Sequence, residues 1–277
     1  MVKFTEQEKQ EIFNLYKSGL TGKEIQQKLN LKYFQPIYRV LKKHPDYIPY
    51  SNGRNQIRKY TLNEDYFSEI NTEEKAYIIG FIAADGHVDE TAKRLKITLA
   101  TKDKDILEKI RICLGSNTNI KDFEKKSHFS YGKPIFYHST VEFCSKKLVE
   151  DLVKLSLINN KTYSLNQELI KFIPEHLVRH FLRGYFDGDG HVSYGNKYSS
   201  GVKYNIEVVG NIEFLESTFY KYFPTTNKKF HYPKSKQAWA YKISSKKRVD
   251  EFLTYIYKDS VIYLNRKYEV YKNNVLI

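Results

Sequence analysis

The sequence predicts an α+β chain: two copies of one mixed unit, preceded by a small all-α module. Three observations carry this. First, Ala76-Tyr-Ile-Ile-Gly-Phe-Ile-Ala-Ala-Asp-Gly86 and Phe181-Leu-Arg-Gly-Tyr-Phe-Asp-Gly-Asp-Gly190 end alike, each an apolar helix with a glycine near its middle and Asp-Gly at its end. Gly80 and Gly184 are 104 residues apart, and so are Asp85 and Asp189. An equal offset at two positions marks an internal repeat. Second, runs such as Leu95-Lys-Ile-Thr-Leu-Ala100 alternate apolar and polar residues, the pattern of a strand covered on one face. Third, the first forty-five residues carry helix start signals in quick succession and no strand pattern.

In chain order, Thr5 with Glu8 makes a capping box for a helix over 5–17, with Ile12, Leu15 and Tyr16 inward and Ser18-Gly19 closing it. Thr21 with Glu24 makes a second box, with Ile25 and Leu29 four apart. A third helix is expected over 33–43, packing Ile37, Val40 and Leu41 inward. This order is that of a helix-turn-helix. The third helix is then the reader of a DNA major groove, with Lys32, Tyr33, Gln35, Tyr38, Arg39 and Lys42 facing outward. Residues 1–60 hold 12 Lys or Arg against 5 Asp or Glu. Residues 46–70 read as a linker broken by Pro49 and Asn52-Gly53, whose Arg54, Arg58 and Lys59 suit a DNA backbone or minor groove.

Glu73 and Glu74 open the first apolar helix, where negative charge suits a first turn. A turn follows Gly86, then the 95–100 strand, a helix over 103–114, strands over 118–126 and 134–143, and a helix over 145–155. The second copy repeats the order with strands over 202–209, 228–232 and 238–244 and helices over 211–222 and 245–257. Domain limits are 1–45, 46–70, 71–165 and 166–277.

Composition narrows the partner. The chain has 277 residues, 41% hydrophobic, with a formal net charge of +14. That surplus favours a polyanion, and nucleic acid is the commonest. Cys113 and Cys144 read as reduced core residues, and no Cys/His cluster has zinc spacing. No secretory segment or run of 18 apolar residues appears, so no membrane partner is expected and the location is intracellular. It is cytoplasmic if the gene is bacterial or phage-borne, organellar or nuclear otherwise.

Two carboxylates delivered to one seam repel unless a cation lies between them. Asp85 and Asp189 are the candidate ligands, and hard oxygen donors without Cys or His favour Mg²⁺. Gly80 and Gly184 permit the close helix approach. Asp187 falls in register with Ala83 and reads as structural, accepting hydrogen bonds near the helix crossing.

With Ile78-Ile-Gly-Phe-Ile-Ala-Ala-Asp-Gly86 and Leu182-Arg-Gly-Tyr-Phe-Asp-Gly-Asp-Gly190, residues 60–277 resemble the double-motif LAGLIDADG homing endonucleases. The resemblance implies two pseudo-symmetric αββαββα subdomains with curved antiparallel sheets and a monomer bound to double-stranded DNA. It implies metal-dependent hydrolysis at a long non-palindromic site, leaving four-nucleotide 3′ extensions. It also implies a basic residue from each half near the scissile phosphate. The matches are Lys161 and Lys267, 76 and 78 residues after their aspartates, with Arg266 as the alternative to Lys267. At the strand position the family gives to a polar helper stand Ala100 and Val209, a departure. Base or backbone contacts are expected from Lys96 and Thr98 in one sheet and Asn205 and Glu207 in the other. Lys121, Lys125, Lys126, Lys228 and Lys229 suit phosphates. Two other readings stand beside this one: a non-cleaving transcription regulator and an intron RNA maturase.

Overall fold

A computed structural model describes residues 4–47, 60–126, 135–157, 167–198, 201–226, 230–231 and 238–276. The chain forms two units, Met1–Thr61 and Leu62–Ile277.

In the first unit, α1 (Glu6–Lys17), α2 (Gly22–Lys28) and α3 (Gln35–Leu41) surround Ile12, Phe13, Tyr16, Ile25, Ile37 and Leu41. Both capping boxes form, Thr5 with Glu8 and Thr21 with Glu24. The third helix is shorter than expected. Pro36 lies in its first turn, where a missing N–H costs nothing, and Phe34 precedes the helix without a side-chain cap, so Lys32 and Tyr33 lie in the turn ahead. Phe13, which the sequence reading did not place inside, is buried and stacks on His44 with ring centroids 3.5 Å apart.

The second unit is built around α4 (Glu73–Asp85) and α7 (Val178–Asp189). Thr72 caps α4 by accepting from the Lys75 N–H, and Ala76 through Ala83 are all buried. Each helix runs directly into a strand. In the first half, β1 (Gly86–Asp89), β2 (Arg94–Ala100), α5 (Lys104–Cys113), β3 (Lys121–Lys126), β4 (Ile135–Cys144) and α6 (Lys146–Lys154) follow. In the second, β5 (Gly190–Tyr198), β6 (Gly201–Gly210), α8 (Ile212–Leu215, continued by a π turn over Glu216–Tyr220), β7 (Phe230–His231), β8 (Trp239–Ile243) and α9 (Lys246–Tyr257) repeat the order. Both sheets are antiparallel, ordered β1-β2-β4-β3 and β5-β6-β8-β7. Leu95, Ile97 and Leu99 are buried on the inner face of β2, while Lys96 and Thr98 are half-exposed on the other. Serines cap the closing helices in both halves: Ser145 accepts from the Leu148 N–H and Ser245 from the Arg248 N–H.

Both halves follow the expected αββαββα order: β1 and β5 fill the first strand position, and residues 90–93 form the turn of the first hairpin, with Lys93 at φ 50°. Three expectations are corrected. The linker ends earlier than residue 70, because Tyr66, Phe67 and Ile70 join the core of the second unit and the Asn63 N–H bonds the Leu114 carbonyl. Past α9 a further helix, α10 (Asn265–Asn274), forms where none was expected. Cys144 is exposed, so it is not the core residue anticipated, while Cys113 is half-buried against the core. Among the described residues no helix is long and apolar enough to cross a membrane.

Candidate active site

The site begins with two glycines. A Cβ on Gly80 would lie 2.1 Å from the Phe181 carbonyl oxygen, and one on Gly184 would lie 1.9 Å from that of Tyr77. Helices α4 and α7 therefore cross in direct backbone contact, which no side chain larger than hydrogen allows. One turn further on, Gly188 faces Ala84, and a Cβ there would be 3.2 Å from Asp85 Oδ2. The crossing thus brings the Asp85 carboxylate against the last turn of the helix that ends in Asp189. Asp85 is half-buried and Asp189 exposed.

These are unfavourable places for carboxylates. Each stands at the carbonyl end of a helix, where the backbone contributes partial negative charge. Their fields overlap on common neighbours. Burial, reinforced by Asp189 and Asp85, raises the Tyr185 hydroxyl well above its ordinary range. Both carboxylates also hold protons on Lys267, against the burial that brings its ammonium down to about 8. The two carboxylates offer hard oxygen donors of the kind that suit a hard divalent cation. Among the described residues no group of three or more His, Cys, Asp or Glu offers an alternative metal centre.

Lys267 lies at the start of α10 and is buried, 2% exposed. Its ammonium donates to the carbonyls of Phe186 (2.5 Å), Asp187 (2.9 Å) and Gly190. A lysine with three donors is thereby saturated by the end of the helix that carries Asp189. Arg266 points elsewhere: its Nε donates to Asp103 Oδ1 of the first half at 2.8 Å. Lys161 lies outside the described residues, as do Arg54, Arg58, Lys59, Lys228 and Lys229.

Asp187 is 1% exposed. Its carboxylate accepts from the Tyr77 hydroxyl (2.8 Å), the Leu264 N–H (2.7 Å) and the Tyr257 hydroxyl. Burial raises its pKa, opposed by Lys267 and these donors. It pins α7 to α4 and to the segment leading to Lys267. Beside it Arg183, wholly buried, donates to the carbonyls of Ile262 (2.9 Å) and Ile256 (2.8 Å) and pairs with Glu73 at 2.5 Å. The sequence reading left out Arg183, Tyr185 and Gly188. The signal for Gly188 was the extra glycine opposite Ala84, and for Tyr185 the hydroxyl in register with Phe81.

The expected DNA-facing residues are sorted by the fold. Lys96 and Glu207 are partly accessible on the outer sheet faces. Thr98 shares its hydroxyl with Thr140 at 2.8 Å. Asn205, expected on an open face, is only 8% exposed and pairs with Ser193 of β5, itself buried. At the helper positions, Ala100 pairs with His138 and Val209 with Ala240. The Tyr185 hydroxyl donates to the Val209 carbonyl at 3.1 Å. In the first unit Tyr33, Gln35, Arg39, Lys32 and Lys42 are exposed. Tyr38 is half-buried, its ring over Gly22.

Among solved structures, the chain is similar to the I-LtrWI LAGLIDADG homing endonuclease bound to target DNA, at 16% identity over 76% of this chain and 90% of that one, with a TM-score of 0.44. It is similar to the homing endonuclease I-WcaI bound to its DNA recognition sequence, at 16% identity over 70% and 85%, TM-score 0.48. A third similar structure is I-SmaMI bound to uncleaved DNA in the presence of calcium ions, at 14% identity over 73% and 90%, TM-score 0.41. No curated protein matches. The family model of the LAGLIDADG-like domain matches residues 72–156 and again 176–257, so each half with its aspartate-bearing helix is covered and the chain belongs to the LAGLIDADG family.

Proposed function

We propose that this protein is a site-specific DNA endonuclease that hydrolyses both strands of a long non-palindromic duplex. The observation that carries the reading is the backbone-to-backbone crossing of α4 and α7, which sets Asp85 beside the last turn leading to Asp189. Bound there, Mg²⁺ would supply an activated water and charge stabilisation for phosphodiester cleavage. The residues that would hold it are Asp85 and Asp189. Lys267 fixes the end of α7 through three carbonyls and so positions Asp189 and Gly190. Its buried charge would act on the developing negative charge of the phosphate through the end of α7. Lys161 is the matching residue of the first half by sequence. The two halves differ along their sheets, which supports a target without palindromic symmetry. A cut across the minor groove leaving four-nucleotide 3′ extensions is the family's geometry and is part of the proposal.

The first unit acts as a helix-turn-helix that binds DNA next to the cleavage site, through Gln35, Arg39 and Lys42. The exposed residues at and before α3 and the basic balance of residues 1–60 support this. The protein works as a monomer, since one chain carries both carboxylates.

The test is cleavage of duplex DNA spanning the region around the gene, with Mg²⁺ and with EDTA. Asp85→Asn and Asp189→Asn should each lower cutting by a factor of a hundred or so while leaving binding in Ca²⁺ largely intact. Parental cutting by both variants on a verified target removes the proposed site. Binding without cutting by the parent would favour the regulator reading instead.

A further inference from the structure

The connection from α9 to α10 runs between the two halves, and both hold it. Glu73 of the first half accepts from the Val261 N–H at 2.7 Å. Arg183 Nε of the second donates to the Ile262 carbonyl at 2.9 Å. Lys109 Nζ of the first donates to the Tyr263 carbonyl at 2.7 Å, its ammonium 4.4 Å from the centre of that ring. Asp187 of the second accepts from the Leu264 N–H at 2.7 Å. Four successive residues are thus gripped by the two halves in alternation.

The connection delivers Lys267, and the turn that carries Lys267 is not capped from within. Leu264 precedes α10 without a side-chain cap, and the first turn has no acidic residue. A helix start leaves N–H groups unpaired and attracts negative charge. Here the first half supplies both needs. Asp105 Oδ2 accepts from the Asn265 N–H at 3.4 Å, and Asp103 Oδ1 accepts from Arg266 Nε at 2.8 Å. Lys109 Nζ adds a bond to Asn265 Oδ1 at 2.6 Å. The next residue, Lys267, turns back into the second half and donates to the carbonyls of Phe186, Asp187 and Gly190. Arg266 keeps 47% of its side chain exposed, and so open an ion pair adds little to stability. What these contacts fix is where α10 begins, and with it where the Lys267 ammonium lies.

We propose that Asp103, Asp105 and Lys109 of the first half are positioning residues for Lys267, so that the cutting of one strand is set by residues of the opposite half. The proposal rests on the endonuclease reading above and adds the residues through which the first half reaches the site of the second.

The test follows each strand of a verified target separately, with the full chain, by single-turnover cleavage in Mg²⁺ and by affinity in Ca²⁺. Asp103→Asn and Lys109→Met should each slow one strand about tenfold relative to the other, so that nicked duplex accumulates while affinity stays near the parent's. The slowed strand should be the one that Lys267→Met slows most. Arg266→Gln should reproduce Asp103→Asn, and the double variant should be no slower than either, as partners in one contact are. Asp103→Glu, which keeps a carboxylate for Arg266, should recover most of the rate. If Asp103→Asn melts early, Lys109→Met carries the test from a partly exposed position. Parental rates on both strands, equal slowing of both, or a loss confined to affinity overturns the proposal. If the parent cuts both strands, any of these results leaves the endonuclease reading standing. A parent that binds the duplex and cuts neither strand defeats that reading and this inference with it.

Discussion

A Cβ on Gly184 would lie 1.9 Å from the carbonyl oxygen of Tyr77, so α7 can cross α4 only with hydrogen at that position. Gly184→Ala, and likewise Gly80→Ala, must push the helices apart along a seam with no slack. Each should destabilise by about 2–3 kcal/mol, as overpacking of a tight core does. Each should also cut the cleavage rate further than the affinity, because the carboxylates separate while the sheets remain. Melting together with single-turnover kinetics checks this, and a variant with the parental melting point would show that the helices are not in contact.

Lys267→Met removes the donor to three carbonyls at the end of α7. Cleavage at saturating enzyme should fall by a factor of ten or more, with affinity changed only modestly, since one charge near a phosphate contributes a small share of the total. A loss confined to affinity, with single-turnover cleavage unchanged, would make Lys267 an ordinary backbone contact. Lys161→Met is the parallel test in the first half.

Truncation separates the two units at a sharper point than the sequence suggested. A protein beginning at Leu62 keeps Tyr66, Phe67 and Ile70, and also Glu64, which accepts from the Ser145 hydroxyl. It should melt close to the second unit of the full chain. One beginning at Asn71 loses those three buried side chains, roughly 1.5–3 kcal/mol each, and should unfold or melt far lower. The Leu62 form should bind duplex DNA less tightly and with a shallower salt dependence, having lost the basic first unit. Equal melting points for the two truncations would return residues 62–70 to the linker, and an unchanged salt slope would deny the first unit its role.

His180 gives an acid-sensitive contribution to stability. Burial, with Arg183 and Arg179 close by, lowers its pKa from the ordinary 6.5 to about 3. Its Nδ1 meets Arg183 Nη1 at 2.8 Å, and Glu73 Oε2 lies 3.5 Å away. The unfolded chain therefore takes up the proton first. The stability that depends on the neutral ring is complete above pH 6.5 and falls as pH drops from 6.5 toward 3. The melting point of the parent should drop faster than that of His180→Gln between pH 7 and pH 5. Parallel curves would show that the ring titrates as it does in the unfolded chain.

The sequence by itself determined the repeat and the local elements. Equal 104-residue offsets, apolar helices closing on Asp-Gly, strand alternation at Leu95–Ala100 and two capping boxes are signals carried by neighbours in the chain, and each became the element expected. Only the tertiary structure decided who meets whom. Asp187 finds Tyr77, 110 residues away, and Lys267 finds the end of α7, while Lys96 and Glu207 each acquire a partner of opposite sign on the neighbouring strand of the sheet. Tyr66, Phe67 and Ile70 read as linker because nothing near them in the chain announces a core, yet they are buried by it. Periodicity reports which face of an element is apolar. It does not report crossing angles or cross-strand register, and these choose the partners of buried charges and of the residues on an open sheet face.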